Sequence, residues 1–279
     1  MNKYSFKVEN QFNNFTVLDF LKANNISLEI IKKVKFGGIY INQDLLTDIN
    51  KKLTVGDVIT IILPNDERNK FAKKVNEKLT VLYEDEYLVA VLKPSGVLTH
   101  LSKYNESESI EEAFYSHFYS EDFLFRPINR LDKDTSGVLL IAKDMLTASL
   151  IGSLIKDGKV EKRYKAVVVG TPTSEHFFIE KPIERESENS VKRVCSQNGK
   201  YAKTECFFIK KVDGDKSLLE IKLHTGRTHQ IRVHLASIGL PLYADGLYGE
   251  KVSGKTFELI AYKIEFTHPF TKKKITIAI

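Results

Sequence analysis

The segment Asn129-Arg130-Leu131-Asp132-Lys133-Asp134-Thr135-Ser136-Gly137 sets two carboxylates and two cations directly ahead of the apolar run Val138–Ala142. That run is short and partly β-branched, so it predicts a buried strand, and the polar segment before it must be a loop at the edge of a core. A carboxylate held there by a rigid strand is suited to acid–base or nucleophilic work. Taken alone, the segment is also what a solvated turn would carry. Asp132-Lys133-Asp134-Thr135 begins like the DxDxT pattern of aspartyl nucleophiles, but here the strand follows the motif instead of preceding it, and the threonine comes one position early. His224, His229 and His234 are spaced by five, which puts no two at i and i+4 of a helix, so no zinc set follows from them. Ser136 lacks the Gly-x-Ser-x-Gly elbow of a serine nucleophile. Lys93-Pro94-Ser95-Gly96, Arg130–Asp132, Arg163-Tyr164 and Gly226–Arg232 complete the set of polar clusters, each weak by itself.

The elements that must position these residues can be read from periodicity. Thr16 caps a helix carrying Val17, Leu18, Phe20 and Leu21, which Asn24-Asn25 breaks. A second helix is expected from about Ser27 to Lys35, burying Leu28, Ile31 and Val34 or near neighbours and ending at Gly37-Gly38. Ile39–Ile41 and Val58–Ile62 read as short strands, and Pro64 closes this unit. Residues 65–78, NDERNKFAKKVNEK, are charged without a convincing apolar face and read as a linker. Beyond it strands dominate: Thr80–Tyr83, Leu88–Leu92, Tyr164–Val169 and Leu218–Leu223, the last with Leu219, Ile221 and Leu223 alternating with polar residues. A helix is expected from about Thr228 to Ile238, with Ile231, Leu235 and Ile238 on its inner face. Strands and helices mix without βαβ alternation, which argues for an α+β fold with a mixed or antiparallel sheet.

A chain of 279 residues, 42% hydrophobic, can bury a sizeable core plus a smaller one. Its net charge of +6 and pI near 9.0 suit a polyanionic partner. Basicity is enriched early: residues 1–64 hold eight lysines against six acids, and residues 65–78 five bases against three acids. Within Val191–Lys211, Lys192, Arg193, Lys200, Lys203, Lys210 and Lys211 face only Glu205. Two cysteines, Cys195 and Cys206, provide neither a disulfide framework nor a metal set and read as ordinary reduced residues. Neither a signal peptide nor an apolar run near the ~20 residues of a membrane helix is evident, so a soluble, cytoplasmic protein is expected.

Taken in order, the motifs point further. RLDKDTSGVLLIAKD resembles the signature of the RluA family of pseudouridine synthases, a pattern close to HRLDxxTSGLLLxAK. LHTGRTHQIRVHLASIGLPLYADGLYG is similar to that family's second long motif, and KPSGVLTH, KRYKAVVVG, PIERES, GKYAKTE and LIAYKIEFTHP match further stations in the same order. The resemblance spans about Leu79 to Ile279. Residues 12–64 resemble more loosely the αL RNA-binding module, with VGDVITIILP the best match, although the Ser-Arg pair common at the start of that module's second helix is absent. The catalytic part departs at Asn129, where His is usual, at Leu101 after His100, and at Ala244, where Gly is usual.

The resemblance implies three parts: an αL-type RNA-binding domain over 1–64, a linker over 65–78, and a pseudouridine synthase domain over 79–279 with a largely antiparallel mixed sheet. It implies an isomerase that breaks the bond between uracil and ribose, turns the base and rejoins it through carbon five. No redox change occurs, so neither metal nor organic cofactor is implied. The partner is RNA, ribosomal or transfer, and action as a monomer suffices. By resemblance Asp132 is the catalytic carboxylate, Arg232 its cationic partner and Tyr164 the ring that stacks on uracil, with Arg130, Arg227, His229 and Gln230 meeting substrate. Lys93 is assigned either to substrate or to the scaffold. The competing reading from another class is a non-catalytic RNA-binding or ribosome-assembly factor on the same scaffold.

Overall fold

A computed structural model describes residues 3–64, 79–101, 108–118 and 124–279. The charged segment read as a linker lies outside the described residues.

Residues 3–64 build four antiparallel strands in the order Lys3–Lys7, Val58–Ile62, Ile39–Ile41, Asp44–Leu45. Two helices cover them, Val17–Ala23 and Leu28–Val34. The Thr16 and Ser27 hydroxyls accept from the amides of Asp19 and Ile30, which satisfies an orphan donor at each helix start. The second helix buries Ile30, Ile31 and Val34, while Leu28 is 58% exposed. At 100° per residue Leu28 lies about 110° round the helix from the centre of that face. The strand Lys3–Lys7 escaped the sequence reading. Its inward residues are Tyr4 and Phe6, and its lysines and serine face outward, so the pattern is too short and too polar to announce itself.

Apart from Ile183–Arg185 and Arg193–Cys195, which pair as a separate two-stranded ribbon, the rest of the described chain is built on one large sheet. Its main path runs His176–Glu180, Lys203–Val212, Lys216–Leu223, Val160–Val169, Leu259–Thr267, Ser136–Ala142, Leu88–Lys93, Thr80–Glu84. Every pairing is antiparallel except that of Leu259–Thr267 with Ser136–Ala142. This is the mixed, largely antiparallel α+β architecture expected. The strand Ser136–Ala142 is buried on both faces. Leu139 and Ile141 join one core, and Val138 and Leu140 join the other. A strand covered on both sides has no reason to alternate, which explains its unbroken apolar run. Gly137 makes the parallel pairing possible. Its φ is +122°, and a β-carbon there would stand 2.3 Å from the Ala261 carbonyl oxygen.

Three helices pack on this sheet: Ile110–His117, Met145–Lys156 and Gln230–Ala236. The last is shorter than the expected span. His229, at φ 57°, forms its N-cap, and Gly239, at φ +77°, turns the chain, so Ile238 leaves the inner face and is 39% exposed. Ile231 and Leu235 remain buried.

The two sheets meet along the helix Met145–Lys156. Its Leu146 and Leu150 belong to the core of residues 3–64. The Tyr4 hydroxyl donates to Asp144 Oδ2 at 2.6 Å, and the Tyr4 ring stacks on Phe270 with centroids 5.1 Å apart. Asp144 also caps that helix, accepting from the amides of Leu146 and Thr147. Among the described residues no helix is long and apolar enough to cross a membrane.

Candidate active site

Asp132 lies in the loop ahead of Ser136–Ala142, with its side chain 30% exposed. Three carbonyls of that loop are held from behind. Thr99 Oγ1 donates to Leu131 O at 2.9 Å, Lys93 Nζ to Lys133 O at 2.8 Å, and Ser95 Oγ to Asp134 O at 2.8 Å. The Gly96 amide adds a second bond to Lys133 O. The segment KPSGVLTH is therefore a cradle for the RLDKD loop, and it can act only because the sheet sets Leu88–Lys93 beside Ser136–Ala142. Asn129 braces the loop from the other side. Its carboxamide donates to Val138 O at 3.0 Å and accepts from Leu140 N at 2.8 Å, extending the hydrogen bonding of the strand.

Lys93 does not face the cleft. It is fully buried, and its three ammonium donors go to the carbonyls of Pro94, Val97 and Lys133. With all three donors engaged, this placement favours the scaffold side of its double assignment. Burial pushes its pKa down to about 8, against the pull of Asp134 and Asp132.

Arg232 projects from the helix Gln230–Ala236 and grips Asp245 as a fork, Nε to Oδ2 at 2.7 Å and Nη2 to Oδ1 at 2.8 Å. The rings of Tyr248 and Phe257 lie 5.0 and 4.6 Å from its guanidinium carbon. Its remaining Nη1 points to Asp132 Oδ2 at 3.9 Å. Burial pulls the arginine's pKa down, but the bond and charge of Asp245, then Asp132, more than offset it and leave the pKa raised. Asp245 is thus the direct counter-ion of Arg232, and Asp132 is a second, looser one. The sequence reading gave Asp245 no role. It stands in the second long motif, and a carboxylate in such a motif was the available signal. Ala244 beside it sits at φ 63°, a conformation that glycine adopts freely.

His229 Nε2 lies 3.9 Å from Asp132 Oδ2, while its Nδ1 pairs with the Tyr248 hydroxyl at 2.8 Å. Burial lowers its pKa, Asp132 opposes this, and Arg232 and Arg193 lower it further, so the ring stays neutral at pH 7. His234 is buried between Thr204 and the Lys181 carbonyl, and His224 pairs with Glu205. Among the described residues, no group of His, Cys, Asp and Glu could hold a metal.

Tyr164 rises from the middle of Val160–Val169 and is buried. Burial, then the charge of Asp132, pushes its phenol pKa up. Its hydroxyl has no hydrogen-bond partner among the described residues, so the ring is held by packing alone. A cleft of about 530 Å³ is lined by Arg130, Asp132, Tyr164 and Arg227 among others. A smaller recess of about 60 Å³ opens beside it, lined by Asp132, Tyr164, His229 and Arg232. Three segments far apart in the chain, 130–132, 164 and 227–232, thus meet in one place. Gln230 also borders the recess, but its amide is fully occupied. Its Oε1 accepts from Thr225 Oγ1 and Arg227 N, and its Nε2 donates to Lys203 O and Thr204 Oγ1. These bonds tie the Thr225–Arg227 turn to the sheet. Arg227 donates through Nε to Tyr201 O at the rim of the cleft.

The chain that carries this site is similar to known proteins in sequence and in fold. The model of the RNA pseudouridylate synthase family matches residues 87–237. An uncharacterised RNA pseudouridine synthase of Bacillus subtilis is 30% identical over 93% of each chain. The ribosomal large subunit pseudouridine synthase D of Buchnera aphidicola is 32% identical over 87% of this chain and 82% of its own. The solved structure of human RNA pseudouridylate synthase domain containing 1 superposes with a TM-score of 0.59 at 25% identity, covering 73% of this chain and 83% of its own. The chain belongs to the RluA-type RNA pseudouridine synthases, isomerases that act on RNA.

Proposed function

We propose that this protein isomerises uridines of ribosomal RNA, in the cytoplasm and as a monomer, with Asp132 as the catalytic carboxylate. The observation that carries the reading is the recess where Asp132 and Arg232 approach to 3.9 Å beside Tyr164. The choice of ribosomal over transfer RNA leans on the large-subunit synthase among the relatives.

In this reading the target uridine leaves its helix or loop at a cost of a few kcal/mol and enters the larger cleft. Its base lies on Tyr164, which contributes about 1–3 kcal/mol of stacking and leaves the base free to turn, since stacking makes no directional demand. Asp132 meets the sugar and base while the glycosidic bond breaks. Arg232 faces that carboxylate through its remaining Nη1, and Asp245 keeps Arg232 in place. The 3.9 Å separation closes to a hydrogen bond once substrate excludes water, as catalytic contacts commonly do. Arg130 and Arg227 at the rim take phosphates or the space the base has left. His229, neutral and tied to Tyr248, donates to substrate without adding charge. Residues 1–64 serve as an RNA-binding domain joined through residues 65–78 to the catalytic domain of residues 79–279.

The test is release of tritium from carbon five of uridine-labelled, unmodified RNA. Wild type releases it, and Asp132→Asn abolishes release while still binding RNA. Equal release from both proteins removes Asp132 from the chemistry, and no release from either leaves a binding protein on a synthase scaffold.

A further inference from the structure

Lys162 occupies an unusual place for a lysine. It precedes Tyr164 by two residues on the strand Val160–Val169, so the period-two alternation turns both to one face. That face also carries Val160, Ala166 and Val168, all buried. The strand's other charges point the opposite way and are engaged. Arg163 pairs with Glu161 and Glu220, and the Lys165 ammonium lies 4.6 Å from the Tyr262 ring. Lys162 has neither an ion pair nor a hydrogen bond among the described residues, and burial lowers its pKa with no carboxylate to oppose it.

Lys162 borders the larger cleft, along with Arg130, Lys156, Arg227 and a single acid, Asp132. A β-carbon at Gly226 would stand 3.8 Å from its Nζ, and glycine at that position leaves the ammonium uncovered. A lysine that merely snorkels sends its head to bulk water, whereas this one meets the 226–227 turn at the cleft wall. A desolvated cation without a counter-ion is costly, and an anion arriving with substrate removes that cost. Two strand residues span about 6.6 Å, so one nucleotide can touch both Tyr164 and Lys162.

We propose that Lys162 binds a backbone phosphate of the RNA strand beside the uridine stacked on Tyr164. The proposal rests on the assignment of Tyr164 as the uracil platform, and its test is chosen to be independent of turnover. The full chain carrying Lys162→Met or Lys162→Arg is titrated with an unmodified large-subunit ribosomal RNA transcript from about 50 to 200 mM salt. Lys162→Met weakens binding roughly tenfold at the low end and lowers the slope of log affinity against log salt by about 0.7, the value for one single-strand phosphate contact. Lys162→Arg keeps the wild-type slope. Melting curves accompany each variant, and Lys162→Gln supplies the slope if methionine disturbs folding. An unchanged slope in the neutral variants overturns the proposal. So does a fall in tritium release with binding intact, which would place the ammonium in the chemistry instead. Repeating the titration in Asp132→Asn separates the two claims, because a phosphate contact survives even where the isomerase assignment of Asp132 fails.

Discussion

Arg232 shows how much of this site depends on a side chain that touches no substrate in the proposed mechanism. Asp245 is 1% exposed and supplies both hydrogen bonds that orient the guanidinium. Asp245→Asn keeps the shape but leaves a buried cation without its close counter-ion, a loss of about 3–5 kcal/mol for such pairs. The expected outcome is a melting temperature lower by roughly 5–15 °C and a fall in kcat from a guanidinium that no longer faces Asp132. Thermal melts and tritium release on the same samples read both. Tyr164 calls for a different comparison. Since its hydroxyl is unpartnered, Tyr164→Phe should retain most of kcat/KM, while Tyr164→Ala loses about 10- to 100-fold, the worth of one stacked base. Equal losses in the two variants would return Tyr164 to the status of a core residue.

At the scale of elements, the reactive loop is a product of the strands behind it. Lys93, at the end of Leu88–Lys93, carries the loop through Lys133 O, and its pKa is near 8 where an unfolded lysine titrates near 10.5. Below pH 8 both states hold the proton. Between pH 8 and 10.5 the unfolded chain binds more protons than the folded one, so folded stability rises with pH in that window. Wild type should therefore gain stability relative to Lys93→Met as pH climbs from 8 to 10.5, measured by denaturant melts, and a flat difference would mean that Lys93 is not desolvated. Gly137 supports the same loop from its other end. Gly137→Ala adds a left-handed strain of about 1–3 kcal/mol to a clash with the Ala261 backbone, so the parallel pairing should open and both stability and activity fall together.

Over the whole molecule, the first 64 residues are docked as well as tethered. Deleting them would uncover Leu146 and Leu150 and strip Asp144 of its Tyr4 partner, so loss of RNA binding in such a truncation would be confounded with damage to the catalytic part. Charge substitution is cleaner. The end of the helix Leu28–Val34 presents Lys32, Lys33 and Lys35, with Phe36 84% exposed beneath the Lys35 ammonium. If this face binds RNA, the triple change of these lysines to Gln lowers the salt slope by up to about 2 with the melting temperature preserved. An unchanged slope would remove this helix from the interface. Tyr4→Phe tests the docking itself: Asp144 loses one buried donor, at about 1–3 kcal/mol, and the melt should show it without a change in salt slope.

Local pattern alone determined the apolar strand after Asp132, the two capped helices near the start, and the mixture of strands and helices that makes the fold α+β. Each of these follows from neighbours in the chain, where hydroxyl caps and side-chain periodicity act over a few residues. The ordered motifs added the family and the trio Asp132, Tyr164 and Arg232. Only the tertiary structure decided which polar residues serve the scaffold. Lys93, Gln230 and Asn129 bond to carbonyls and amides that lie about 10 to 40 positions away in sequence. Asp245 became the partner of Arg232 because a turn brings it beneath the helix. A hydrogen bond needs two atoms within about 3 Å, and a linear chain does not state which distant residues the sheet will bring that close.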